Sequence, residues 1–151
     1  MVDRTLEYEI NQLIQLMRDS IDGYTKAAEL AINTELSEWF TKLADRRREF
    51  VDELSSLESV VGGEPVEEGT LGFSIYTTFK ELNVAVSGDK DGVILNAMKD
   101  VLGNTIKRYE TILGNRITIL EGIVKDTIEK QHKELQETQQ QVVELIQRRD
   151  S

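Results

Sequence analysis

Val61-Gly62-Gly63-Glu64-Pro65 interrupts an otherwise helical sequence and holds the only proline of the chain. A Gly pair weakens a helix, and proline removes a backbone donor and pushes the residue before it out of helical geometry, so a helix ends here. Beyond the acidic Glu67-Glu68-Gly69, Thr70 caps a second helical stretch carrying Leu71, Ile75, Phe79, Leu82 and Val86, which stops at Ser87-Gly88. At ~1.5 Å per residue, Thr70 to Val86 spans about 25 Å, close to the core length of a helical bundle. Such a crossover, predicted over 70–87, returns the chain to the end where the preceding helix began. The helix that follows then runs parallel to that preceding helix, alongside it.

Working outward, Leu6, Ile10, Leu13, Met17, Ile21, Tyr24, Ala28 and Ala31 recur in threes and fours and predict a first helix over 5–32. Asn33 offers a capping oxygen just before Thr34-Glu35, and the second helix is expected over 34–61, with Leu36, Phe40, Leu43, Arg47, Phe50, Leu54, Leu57 and Val61 inward. So short a connection forces an antiparallel hairpin. A third helix over 89–113 carries Ile94, Met98, Val101, Thr105, Tyr109 and Ile112, and Gly114-Asn115 ends it. The fourth, over 117–148, carries Leu120, Val124, Ile128, Gln131, Leu135, Thr138, Val142 and Leu145. No stretch reads as a strand, and the run 1–151 is expected to form one all-α domain.

Composition narrows the function classes. The 151 residues include 28 acidic and 18 basic side chains, a formal charge of −10, which opposes phosphate backbones and anionic lipid. Arg46-Arg47-Arg48 is the one tight basic run, and Asp45 and Glu49 flank it. Nucleic acid and membrane partners are therefore not expected. Cysteine is absent, which removes disulfide and thiolate chemistry, and with no apolar leader at Met1-Val2-Asp3-Arg4 a cytoplasmic location is the expectation.

Asp19, Gly23-Tyr24, Ala27-Ala28-Glu29, Gly62-Gly63-Glu64-Pro65, Ser87-Gly88-Asp89, Ile94-Leu95, Gln131 and Glu134 follow one another at separations that resemble a bacterial family of ferritin-like four-helix-bundle proteins of unassigned function. The likeness runs over about residues 8–150. It implies a ferritin-like bundle, two antiparallel helix pairs joined by the crossover. For the wider ferritin-like group it also implies a di-iron or di-manganese centre of two Glu and two Glu-x-x-His motifs.

The inward positions do not spell that centre. Ile21 is expected at the middle of the first helix, with Asp22 turned toward solvent, and Met98, Val101, Leu102 and Thr105 line the third. Arg47 falls inside the apolar stripe of the second helix with Arg46 at its edge, so Arg47 either reaches past the core to water or is paired within it. Glu129-Lys130-Gln131-His132 matches Glu-x-x-His by spelling, but Glu129 falls opposite the apolar stripe and His132, the single histidine, well off it. Trp39 and Phe40 are adjacent and cannot share one core, so one of them faces a second groove.

The leading expectation is a bundle without a complete di-metal centre and with no cofactor, a structural or protein-interaction module that is homodimeric and takes a protein partner. Its interior polar candidates are Arg46, Arg47, Gln131, Glu134 and Thr138, with Arg46 or Arg47 paired to Glu134. The alternative is a di-iron or di-manganese protein, for storage or oxidoreduction, using Glu134, Gln131, Asp22 and His132.

Overall fold

A computed structural model describes residues 4–61, 89–116 and 122–150. Four long helices account for almost all of them, and no strand occurs among the described residues: α1 Arg4–Leu30, α2 Thr34–Val61, α3 Lys90–Arg116 and α4 Gly122–Asp150. The expected crossover over 70–87, with Gly62-Gly63-Glu64-Pro65, lies outside the described residues, as does the expected start of the last helix at 117. The hairpin turn is where the sequence placed it. Asn33 Oδ1 accepts the amide of Leu36 at 3.0 Å and caps α2, and Ser37 Oγ donates to the Ala28 carbonyl at 2.7 Å, fastening the second helix to the first.

The buried positions follow a tighter period than an ideal helix. The central row is Leu6, Ile10, Leu13, Met17, Ser20, Tyr24 and Ala27 in α1, Leu36, Phe40, Leu43, Arg47, Phe50, Leu54 and Leu57 in α2, and Val124, Ile128, Gln131, Leu135, Thr138 and Val142 in α4, with Ile14, Asp19, Gly23, Ala44, Val51 and Glu58 buried beside it. Steps of four and three alternate, a mean of 3.5, the seam of helices that wrap about one another. This corrects the expected stripe of the first helix: Ile21, Ala28 and Ala31 are only partly buried, while Ser20 and Ala27 face the core. A 3.6-residue stripe drifts by about 20° per heptad from such a seam, enough to displace its outer members.

Helix directions follow from pairings that join distant residues. Tyr109 meets Gln131, Lys99 meets Gln139 and Asp89 meets Arg149, so α3 and α4 are antiparallel. Arg46 meets Glu134 while Glu53 meets Gln131, which makes α2 and α4 antiparallel as well. Asp91, in the first turn of α3, accepts the amide of Ile32 at 2.8 Å and that of Asn33 at 2.9 Å, one on each carboxylate oxygen. The start of α3 is thereby pinned to the α1–α2 turn, and α3 runs parallel to α2. The two are not side by side, however. α3 packs on α1 and α4, and α2 packs on α1 and α4, so the parallel pair lies across a diagonal with the core between.

Candidate functional site

The centre of the four helices is polar. Arg47 occupies the seam of α2 between Leu43 and Phe50, where a leucine would ordinarily sit, and its side chain is 0% exposed. Its Nη2 donates to Thr138 Oγ1 at 3.1 Å and its Nη1 to Glu134 Oε2 at 3.5 Å. The guanidinium carbon lies 4.7 Å from the Phe50 ring centroid and 5.9 Å from that of Tyr24, so aromatic faces replace part of the lost hydration. Of the two alternatives for Arg47, the structure shows the buried, paired one.

Arg46 approaches the same acid from outside. Its Nε donates to Glu134 Oε2 at 2.6 Å and its Nη2 to Glu134 Oε1 at 2.8 Å, the two-point fit of a guanidinium to a carboxylate. Glu49 also accepts from Arg46. Arg46 and Glu134 are half-exposed, at 39% and 32% of their side chains, which corrects their assignment to the interior. They form the rim of the polar centre, while Arg47, Gln131 and Thr138 are its buried members.

One turn along α4, Gln131 is held from three sides. Its Nε2 donates to the Phe50 carbonyl at 3.3 Å and to Glu53 Oε1 at 2.9 Å, and its Oε1 accepts the Tyr109 hydroxyl at 2.6 Å. Thr138 spends its hydroxyl proton on the Glu134 carbonyl at 3.0 Å and offers a lone pair to Arg47. Nearly every donor and acceptor of the centre is matched. Arg47 Nε is the exception, buried without a hydrogen-bond partner.

The charges are fixed rather than poised. The Arg46 guanidinium, with Arg47 behind it, holds the Glu134 carboxyl below the usual carboxylate range. Burial pushes the Tyr24 and Tyr109 hydroxyls above their ordinary value despite the nearby Arg47 cation. At neutral pH the centre therefore holds phenols in their protonated form and an ion-paired carboxylate.

The donor set does not fit a di-metal centre. Among the described residues no group of three or more His, Cys, Asp or Glu side chains is placed to hold a metal ion. The alternative ligands are not gathered either. Asp22 is exposed on α1, and Glu134 is committed to the two arginines. His132, on the flank of α4, sets its Nε2 3.2 Å from Glu110 Oε2 of α3. Its side chain is 18% exposed, more covered than its outward register implied, and Glu129 stands apart beside Lys125 at 3.8 Å. Arg47 lies where the ligand cage of a bundle would be, and its charge repels a cation.

These features belong to a chain with a recognisable relationship. A family model described as a domain of unknown function, DUF2383, matches residues 6–115. The chain belongs to the DUF2383 family. No curated protein and no solved structure matches it. The match takes in Arg46, Arg47, Phe50, Glu53 and Tyr109 of this DUF2383 chain, while their partners Gln131, Glu134 and Thr138 lie beyond it.

Sequence reading overlooked several members of the network. Tyr24 and Tyr109 count as apolar in a periodicity argument, and only the seam position of Gln131 hinted that a hydroxyl needed a partner. Glu58 was missed too. It lies on α2 next to Leu57, is 0% exposed, and neither of its carboxylate oxygens has a hydrogen-bond partner. Burial, with the Glu7 carboxylate as the lesser cause, pushes it up to about 7.

Proposed function

We propose that this DUF2383 chain is a ferritin-like bundle in which a side-chain network has replaced the di-metal centre, and that it works as a structural or protein-interaction module. The observation that carries the reading is Arg47, fully buried at the bundle centre among Glu134, Thr138, Phe50 and Tyr24. A fixed cation there does the electrostatic work that a metal would do for surrounding carboxylates, and it leaves no open coordination position for substrate. The ferritin-like assignment is supported by the directions of the helices. Two antiparallel pairs are arranged with α2 and α3 parallel across the diagonal, the helix directions of a ferritin-like bundle.

Elemental analysis of protein purified without a histidine tag tests the reading. Less than one tenth of an equivalent of iron, manganese or zinc per chain is expected, before and after incubation with each metal. Two equivalents of iron that survive desalting, with an ultraviolet band lost on chelation, would refute it. No helix among the described residues is long and apolar enough to cross a membrane, and the proposed module acts in the cytoplasm.

A further inference from the structure

A groove of about 470 Å³ lies between α2 and α4, away from the polar centre. Leu36, Trp39, Leu95 and Leu145 form its apolar surface. Phe40 is fully buried in the main core, so Trp39, its neighbour, is the aromatic side chain turned to this second surface. The charged side chains around it differ in what holds them. Arg149 is bound by Asp89, its Nε donating to Oδ2 at 3.2 Å and its Nη2 to Oδ1. Arg148 has an interaction of its own as well. Glu35 and Glu144 are exposed, and neither carboxylate has a hydrogen-bond or ion-pair partner among the described residues. The unmatched charge of the groove is negative.

We infer that this groove binds a small organic cation, a protonated amine carried on an apolar body. Charge complementarity selects that chemistry. An anion would meet Glu35 and Glu144 together with the field of a chain that carries −10. A neutral apolar molecule would cover the hydrophobic surface but strip water from two carboxylates and give them nothing in return. An amine on an apolar body meets both demands, its ammonium at the glutamates and its hydrocarbon on the leucines. Trp39 adds to the match, because indole is the strongest aromatic partner of a cation. Size selects a small molecule over a peptide helix. About 470 Å³ is the volume of a pocket for a drug-sized molecule, whereas three turns of a helix about 10 Å across occupy about 1,200 Å³. Such a site goes beyond the module reading and uses no residue of the polar centre.

Trp39 is the only tryptophan in the chain, so its fluorescence reports on this groove alone. The test titrates the whole chain with three probes of similar shape: 4-phenylbutylammonium, the neutral 4-phenylbutanol and the anionic 5-phenylpentanoate. The ammonium is expected to change Trp39 emission with a dissociation constant of about 1 mM or tighter, and the other two to bind about tenfold more weakly or worse. The double variant Glu35→Gln with Glu144→Gln keeps the shape of the groove and alters only exposed side chains, and circular dichroism checks that it is folded. It is expected to weaken the ammonium by about tenfold and to leave the alcohol unchanged, and added salt should weaken the ammonium alone. Ammonium binding no tighter than that of the alcohol overturns the inference, as does an unchanged affinity in the double variant. So does the absence of any ammonium binding at about 10 mM, even where a basic peptide binds. A loaded metal centre would refute the module reading without moving any of these results.

Discussion

Glu58→Gln should convert a pH-dependent bundle into one that is less so. A carboxyl at 0% exposure with no hydrogen bond to either oxygen is stable only when it keeps its proton, and Glu7 on the facing helix adds a repelling charge. Its affinity for the proton is raised from the ordinary 4.5 to about 7 on folding. The native state therefore binds the proton more tightly than the unfolded chain does. Below about pH 4.5 both states are protonated and the side chain exacts no electrostatic cost. As pH rises from 4.5 to 7, the unfolded chain ionises freely while the folded one resists, and stability falls. Two and a half pH units at about 1.4 kcal/mol each set an upper bound of about 3.5 kcal/mol, reached above pH 7. For a chain of this size that corresponds to about 7–14 °C in melting temperature. Urea unfolding followed by circular dichroism at half-unit steps from pH 4.5 to 8 measures it. The glutamine variant has the same shape and no proton to lose, so its stability relative to the wild type should grow steadily across the window and then level off. A difference that stays constant with pH would refute the reasoning, because it would mean that Glu58 ionises as easily in the fold as outside it.

Other outcomes follow from the polar centre and its anchors. Glu134→Ala leaves Arg47 buried without its carboxylate and should cost about 2–3 kcal/mol in thermal unfolding, against less than about 0.5 kcal/mol for the exposed Glu129→Ala; equal losses would remove the pairing from the account. Arg47→Met fills the same space without the desolvation cost and should be neutral or stabilising in urea unfolding, whereas Arg47→Ala opens a cavity and should lose about 3 kcal/mol. Asp91→Ala strips the acceptors from the Ile32 and Asn33 amides, which should cost about 2 kcal/mol and speed amide hydrogen exchange at those two residues above all others.

Much of the fold could be read before any coordinates, for a definite reason. Apolar side chains at spacings of three and four and a capping Asn33 act locally, and local rules placed the four helices found among the described residues, although Gly114-Asn115 does not end α3 as expected, the helix running on to Arg116. Period alone carried a small error, since a stripe of 3.6 residues and a bundle seam of 3.5 diverge over seven turns, and Ile21 moved outward while Ser20 moved in. The buried site was half legible. Arg47, Gln131 and Thr138 stood out because polar side chains interrupted an apolar pattern, and Glu134 because it bordered one. Tyr24, Tyr109, Glu53 and Glu58 gave no comparable signal: a tyrosine fits an apolar stripe, and a glutamate beside one looks solvated.

By itself, then, the sequence determined the helices, the antiparallel hairpin, the acidic surface and the lack of a paired Glu-x-x-His set, all of which depend on residue type and spacing along one chain. Tertiary structure decided what spacing cannot encode. It ran α3 parallel to α2, because Asp91 ties two amides of the distant hairpin turn, and across the diagonal from it, because α3 packs on α1 and α4. It also turned Arg47 inward, because a guanidinium is accommodated in the core only when a carboxylate, a hydroxyl and two aromatic faces from three helices converge on it.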